Sequence, residues 1–258
     1  MTGSPTSGTT PGTPLRTCAA GVVFALDVEA DAFAARSRDT TETLAGGLTF
    51  HEGTVAGRRV AWVVAGTGID RAARACRLLI DGHRPRLIIS AGFAGGLTPQ
   101  LPRGRLMNPA RVLRADHPPL DLGAGDSAAH AQPSTTLVTV DRVVCTAVEK
   151  RTLAAATGAD LVDMETWGVA TVARDARLDC VSLRVVSDTA TDDLPDEMAR
   201  LVQPQSSLRR FGAALRAIGR RPAAAADMWR LWEHAVIDGR TLADALERAI
   251  AALPLSDR

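Results

Sequence analysis

Lysine is nearly missing from this chain of 258 residues: Lys150 is the only one, so every other member of the basic set of 30 is arginine. With abundant alanine alongside, that usage reads as a bias of the genome. The basic residues are balanced by 29 acidic ones, giving a formal net charge of +1. A polybasic binder of nucleic acid or membrane surface, held by bulk charge, is thereby excluded. Aromatic residues are scarce, at 3%. The cysteines, Cys18, Cys76, Cys145 and Cys180, stand far apart with no CxxC or CxxH spacing. That argues against a zinc site or a redox dithiol. Their apolar neighbours suggest buried free thiols in a reducing cytosol. No apolar run approaches the ~20 residues of a membrane span. The N-terminus lacks the basic start and apolar stretch of a signal peptide, so a soluble cytoplasmic protein is expected. Also missing are a GxxxxGK[ST] loop and a complete GxGxxG: after Gly66 and Gly68 the last glycine position holds Arg71. Walker-type and dinucleotide sites are poorly supported.

What is present has a clear texture. The segment to Thr17 is almost entirely Thr, Ser, Gly and Pro, too poor in apolar surface to offset its ordering entropy, and reads as a disordered tail. From Cys18 short apolar runs begin. Ala19–Leu26, Arg59–Ala65, Arg86–Ser90, Thr136–Val140 and Cys180–Val186 have the continuous apolar character of strands buried on both faces. Helical spacing lies between them: Val28–Arg36 after a candidate N-cap at Asp27, a segment from Gly68 to about Asp81, and Glu165–Arg174. Strands alternating with helices predict a mainly parallel α/β sheet covered on both faces, with ligands at the strands' carboxyl ends. Beyond Val202 the pattern is helical over Ser207–Gly219, Ala224–Val236 and Thr241–Ala252, punctuated by Pro204 and Pro222. Trp229, Trp232 and Val236 recur there at helical spacing, the pattern of a stripe packed on the body of the protein. The expected division is a tail at 1–17, one domain at 18–202 and a helical appendage at 203–258.

Several residues stand where chemistry could occur. Glu29 follows the first strand, in the first turn of a helix, where a carboxylate also suits the helix dipole. The turn Gly66-Thr67-Gly68 allows close approach of backbone N–H groups to a ligand. The strand at Arg86–Ser90 runs into a glycine-rich turn, Ala91–Leu97; the stretch Ser90–Leu97 (SAGFAGGL), containing Phe93, Ala94 and Gly95, implies close approach either of another backbone or of a ligand. Asp163-Met164-Glu165 puts two acids in a partly buried setting, where carboxylates need partners. A sugar diol is one such partner for Glu165, with Met164 against the ribose face; helix capping is the alternative. Ser187 and Asp188 follow the last strand, where a carboxylic acid could protonate a leaving group or simply cap the next turn.

Taken in order, ALDVEADAF, AGTGIDRA with SAGFAGGL, VDMETWGVA and LRVVSDTA resemble the nucleoside phosphorylase and nucleosidase superfamily. Within it they are most similar to 5′-methylthioadenosine/S-adenosylhomocysteine nucleosidases and hopanoid-associated phosphorylases. The resemblance covers roughly Cys18–Val202. It implies a three-layer αβα domain with a mainly parallel central sheet, and cleavage of the bond between a purine and its ribose. It implies Asp188 as the acid protonating N7, held by Ser187, and Glu165 as the ligand of the ribose hydroxyls over Met164. Glu29, or Asp27 if the alignment slips, would position or activate the attacking water. Val143 and Val144 would fall near the base. No metal or organic cofactor is implied, and a homodimer is.

Departure of the base builds positive charge on the ribose, as in other glycosyl cleavages, which nearby carboxylates stabilise. Phosphorolytic relatives carry Arg and Ser side chains at the strand leading into the glycine-rich stretch, where this chain has Ser90 and Phe93. That favours water over phosphate as nucleophile. The long helical tail resembles hopanoid-associated members and keeps phosphorolysis of adenosylhopane as the alternative. A nucleoside-binding protein without catalysis is the alternative of another class.

Overall fold

The computed structural model describes residues 17–123, 135–194 and 222–254, with side chains in the last segment from residue 233 onward. The expected tail before Thr17, the helix expected over Ser207–Gly219, and the side chains of Trp229 and Trp232 lie outside the described residues.

Strand β1 (Ala20–Phe24) is followed by α1 (Asp27–Ala34), a meander of β2 (Arg38–Ala45), β3 (Leu48–Val55) and β4 (Arg58–Val64), and then α2 (Ile69–His83). Next come the long β5 (Leu87–Gly96) and the short β6 (Leu106–Met107), β7 (Arg111–Leu113) and β8 (Leu120–Asp121). The order continues with β9 (Thr136–Thr139), α3 (Ala147–Thr157), β10 (Leu161–Asp163), α4 (Thr166–Asp175) and β11 (Asp179–Asp188). A single 31-residue helix, α5 (Pro222–Ala252), ends the described chain. The sheet runs β2-β3-β4-β1-β5-β10-β9-β7-β8, with β11 on the other side of β5 and β6 beyond it. Strands β4, β1, β5 and β11 are mutually parallel.

Because successive side chains of a strand point to opposite faces, an apolar run feeds two cores. Val22 and Phe24 of β1 join Phe33 of α1, Trp62 of β4 and Leu242, Leu246 and Ile250 of α5 on one face. Val23 and Ile88 join Ala72, Cys76 and Leu79 of α2 and Val169 and Ala173 of α4 on the other. This is the expected three-layer αβα arrangement.

Four sequence expectations change. The helix after β1 is capped at Leu26, not Asp27; Asp27 is exposed, while Glu29 folds back onto the cap. The glycine-rich stretch from Ala91 is not a turn but the second half of β5, paired with β11 as far as Gly95. The hairpin β2–β3 lies in a segment where no strand is expected. Its strand β2 is exposed nearly throughout and has no apolar alternation to reveal it. Its two-residue connection, Gly46-Gly47 with φ of 58° and 75°, matches the twist of the strands. Finally, the helices expected over Ala224–Val236 and Thr241–Ala252 are one. Gly239 lets α5 cross α1 so closely that an added Cβ would stand 2.7 Å from the carbonyl oxygen of Val28. The end of α5 is met by Arg58, whose Nη2 donates to Ala251 O at 3.4 Å and whose Nε donates to Leu253 O, just past the helix, at 3.0 Å.

Candidate active site

The site is built from residues in the carboxyl halves of β5, β10 and β11 and just past the ends of β1, β4 and β10. After β1 the chain turns into α1, and Glu29 fills the role of a capping-box acid. Its Oε2 accepts the amides of Ala25 and Leu26, each at 2.9 Å. Its Oε1 accepts the amide of Phe93 on β5 at 2.9 Å. Glu29 is 3% exposed, and burial raises its pKa above the ordinary carboxylate range, against the lowering effects of Arg184 and the three amides. Gly92 permits the approach: a Cβ there would lie 2.7 Å from both Glu29 Oε1 and Arg184 Nη1.

Arg184 on β11 is buried and forms the hub. Its Nη2 donates to Asp163 Oδ2 at 2.8 Å, to Ser90 Oγ at 2.8 Å and to Thr166 Oγ1 at 2.7 Å. Asp163 also accepts the Thr139 hydroxyl at 2.6 Å and the Thr166 amide at 2.9 Å. The two charges are thus paired through Arg184 Nη2, while the buried Arg184 Nε has no hydrogen-bond partner among the described residues. Asp163 has protein partners for both oxygens. Its neighbour Glu165 has few: the Gly68 amide donates to Oε1 at 2.9 Å and the Met164 amide to Oε2 at 3.3 Å. Burial and, secondarily, nearby Asp163 push Glu165 well above the usual range. A carboxylate so placed has acceptor capacity left for a ligand.

At the end of β11, Ser187 is the extra residue of a bulge: Val186 pairs with Ala94 and Asp188 with Gly95. Bulges re-aim side chains. Here the Ser187 hydroxyl donates to Asp188 Oδ1 at 2.6 Å and lies 3.3 Å from Ala94 O. The other oxygen, Asp188 Oδ2, meets Lys150 Nζ at 2.6 Å. A Cβ on Gly95 would lie 3.1 Å from that same oxygen, so glycine keeps the space before the carboxylate open.

The structure therefore joins Glu29 to Phe93, Glu165 to Gly68, and Ser187 and Asp188 to Ala94 and Gly95. Gly66, with φ of 80°, carries the chain from β4 into that turn, its amide donating to Ala25 O at 3.1 Å. Met164 is half-buried between the two acids. Val144 is buried with Leu97, Val138 and Val162 in a separate apolar cluster, and Val143 is half-buried beside it. Sequence reasoning missed Arg184 and Lys150. An arginine inside an otherwise apolar strand run, LRVV, was the available signal, since a charge there demands a partner.

Among the described residues, Cys18, Glu52 and His83 have ligand-capable atoms mutually within 4.8 Å. They come from distant parts of the chain, so no spacing motif reveals them. Hydrogen bonding accounts for the group: His83 Nδ1 lies 3.0 Å from Glu52 Oε2 and Arg59 pairs with Glu52 Oε1. Burial, with Glu52 contributing, raises the Cys18 thiol to about 12, away from the thiolate a metal requires. Cys76 and Cys180 are buried as expected, while Cys145 is half-buried. No helix among the described residues is long and apolar enough to cross a membrane.

The family model described as "Phosphorylase superfamily" matches residues 19–142 and 124–221. A 5′-methylthioadenosine/S-adenosylhomocysteine nucleosidase of Listeria welshimeri is 30% identical over 96 residues, 37% of this chain and 41% of that protein. A nucleosidase of the same description from a Shewanella species is 34% identical over 97 residues, 37% of this chain and 42% of that protein. The chain thus spans about two fifths of the length of the curated relatives it matches. Among solved structures, S-adenosylhomocysteine nucleosidase of Streptococcus pyogenes with 5-methylthiotubericidin superposes with a TM-score of 0.70 at 17% identity. That match covers 94% of this chain and 100% of the other. Futalosine hydrolase of Helicobacter pylori gives 0.67 at 18% identity, covering 90% of this chain and 96% of the other. At these identities the likeness shows a shared fold.

Proposed function

The chain belongs to the phosphorylase superfamily, and on that footing we propose that it cleaves the N-glycosidic bond of an adenine nucleoside, with water as the nucleophile. The substrate class is that of 5′-methylthioadenosine and S-adenosylhomocysteine, after the relatives' described substrates.

In this reading the ribose 2′- and 3′-hydroxyls donate to Glu165, with Met164 packed against the sugar. Phe93, Ala94 and Gly95 line the cleft between Glu29 and Asp188, Gly66 and Gly68 hold the turn beneath Glu165, and Val143 and Val144 lie toward the base. As the C1′–N9 bond breaks, its electron pair leaves with the purine and positive charge spreads over the ribose, close to carboxylates that stabilise it. Asp188, oriented by Ser187, passes a proton to N7. Glu29 takes a proton from water as its oxygen bonds to C1′. General acid assistance of this kind contributes ~10²–10⁴-fold. The chemistry needs no metal or organic cofactor.

The observation that carries the choice of water is Glu29. A buried carboxylate anchored by three amides repels a phosphate dianion and has the raised proton affinity of a base. Arg184 Nη2, the obvious attraction for phosphate, is committed to Asp163, Ser90 and Thr166. The test is incubation with 5′-methylthioadenosine with and without phosphate. Adenine release independent of phosphate supports the proposal; release only with phosphate favours the phosphorylase alternative; no release under either condition sinks it. Asp188→Asn should abolish turnover while preserving nucleoside binding, and unchanged turnover would refute the assigned role. The homodimer implied by the family resemblance belongs to the same reading. Light scattering on the purified protein tests it. The cytoplasmic location expected from the sequence likewise stays a proposal.

A further inference from the structure

The one lysine of the chain is fully buried, in contact with the proposed proton donor. Its ammonium has three N–H donors and three acceptors. These are Asp188 Oδ2 at 2.6 Å, Thr189 O at 2.7 Å and Asp192 O at 2.8 Å. Helix α3 delivers Lys150 in its second turn, after a capping box in which the Glu149 amide donates to Thr146 Oγ1. The start of α3 is also sewn to the segment after β11. The Ala147 amide donates to Asp193 Oδ1 at 2.7 Å and the Leu194 amide to Cys145 O at 2.7 Å. Helix and segment together fix Nζ relative to Asp188.

Two of the three acceptors are carbonyl oxygens, which do not carry protons; the third is a carboxylate, which does. Lys150 has no solvent exposure, whereas Asp188 retains 8%. Any proton leaving or reaching Nζ therefore passes through Asp188. The residue type is informative in a chain whose other basic residues are all arginine. A guanidinium would supply the same charge and hold its proton, whereas an ammonium can release one.

We propose that Lys150 and Asp188 form a proton-sharing pair, in which Lys150 supplies through Asp188 the proton that neutralises the departing purine. The proposal rests on the reading of the chain as a purine nucleosidase. In the step, an N–H bond at Nζ breaks as Oδ2 takes its proton, and Asp188 gives a proton to N7 while the C1′–N9 electron pair leaves with the base. Adenine departs neutral, Lys150 is left as the amine, and Glu29 holds the proton taken from water. Once the product leaves, Glu29 releases that proton to solvent and Asp188 passes one back to Lys150. Lys150 touches no substrate atom and acts as a positioning residue for Asp188.

The charged groups around the pair come from the segments after β5 and β11, from α5, and from α3 with the segment before it. From the segment after β11 comes Asp192, whose carboxylate accepts the Thr189 amide at 2.8 Å and is held below the ordinary range chiefly by that bond, together with Asp193. Arg103 donates from Nε to Ser187 O at 3.1 Å and pairs with Asp238 of α5 at 2.6 Å. On α3 itself, Glu149 pairs with Arg142 at 2.7 Å.

The experiment compares the full-length wild type with Lys150→Met and Lys150→Arg, measuring adenine release from 5′-methylthioadenosine across pH. In Lys150→Met, near neutral pH, kcat should fall about 100-fold and KM should stay within about threefold. The alkaline limb of its kcat profile should move down by more than about one pH unit, because a lone carboxyl gives up its proton sooner than a pair containing an ammonium. Lys150→Arg should keep binding and lose turnover. A uniform loss of rate with an unmoved or upward-moved limb, or a Lys150→Arg variant at wild-type rate, overturns the proposal while leaving the nucleosidase reading intact. No adenine release by the wild type at any pH overturns both. If Lys150→Met does not fold by circular dichroism, the wild type carries the test. Its kcat must persist beyond the ordinary carboxylate range of about 4–5, and a decline within that range overturns the proposal.

Discussion

The carboxylate of Glu29 on α1 accepts the amide of Phe93 on β5 at 2.9 Å, joining residues 64 positions apart. That one bond locks the first turn of α1 against the carboxyl half of β5. With Gly92 beside it, it also brings Glu29 up to Arg184. The acid is thus held in a rigid cradle rather than on a mobile loop, as the proposed role of a base meeting water in one geometry requires.

Glu29→Gln keeps the shape but replaces an all-acceptor group with one whose amide nitrogen faces backbone donors. Adenine release should fall by ~10²–10⁴-fold with nucleoside affinity largely kept. Equilibrium dialysis beside an initial-rate assay checks it, and wild-type turnover would remove Glu29 from the mechanism.

Under the proposed function, Glu165 makes nucleoside binding pH-dependent. Burial first, and Asp163 next, raise it from 4.5 to about 8, so the folded free protein holds a proton there that the unfolded chain has lost. Stability linked to this group is therefore present at low pH and declines as pH rises from about 4.5 to about 8. Ribose hydroxyls need the ionised acceptor, so KM should fall as pH rises through the same window. Glu165→Gln should lose nucleoside affinity, yet melt a few degrees, roughly, above wild type at alkaline pH and no higher in acid. Calorimetry across pH decides it.

Asp163→Ala removes the one carboxylate salt-bridged to buried Arg184, leaving Glu29 as a nearby acid without that direct pairing. The expected loss is about 3–5 kcal/mol of stability, with Asp163→Asn milder because it keeps a hydrogen-bonding group. Denaturant unfolding followed by circular dichroism measures both, and a loss well under 1 kcal/mol would show that the pair relaxes into water.

Gly239→Ala tests whether α5 is held by close packing. Its Cβ would meet the Val28 carbonyl oxygen at 2.7 Å, forcing α5 away from α1. A loss of about 1–3 kcal/mol is expected, with little change in kcat per folded molecule. A large fall in kcat at unchanged stability would instead tie α5 directly to the chemistry.

The alternating apolar runs were legible because a strand buried on both faces is apolar at nearly every position, as Ala20–Phe24 and Leu87–Ile89 are. The exposed β2 carries no such constraint, and the sequence Arg38–Ala45 hides it. The stretch after Ser90 was legible as a close approach but not as a strand. Glycines there accommodate Glu29, Arg184 and Asp188, and nothing local announces the partners. Glu165 was legible as an acid in need of a partner, and its sparse protein bonding agrees with a place for a ligand.

By itself the sequence determined the layered α/β architecture and the acids at the ends of its strands, because both follow from local periodicity and from side-chain chemistry near chain turns. Tertiary structure alone decided the pairings: Arg184 with Asp163, Glu29 with the Phe93 amide, and the solitary Lys150 with Asp188. A lysine scarce enough to read as compositional bias acquires its meaning there. Burial without water requires each of its N–H bonds to find an acceptor, and only the folded chain brings that carboxylate and two carbonyls to one point.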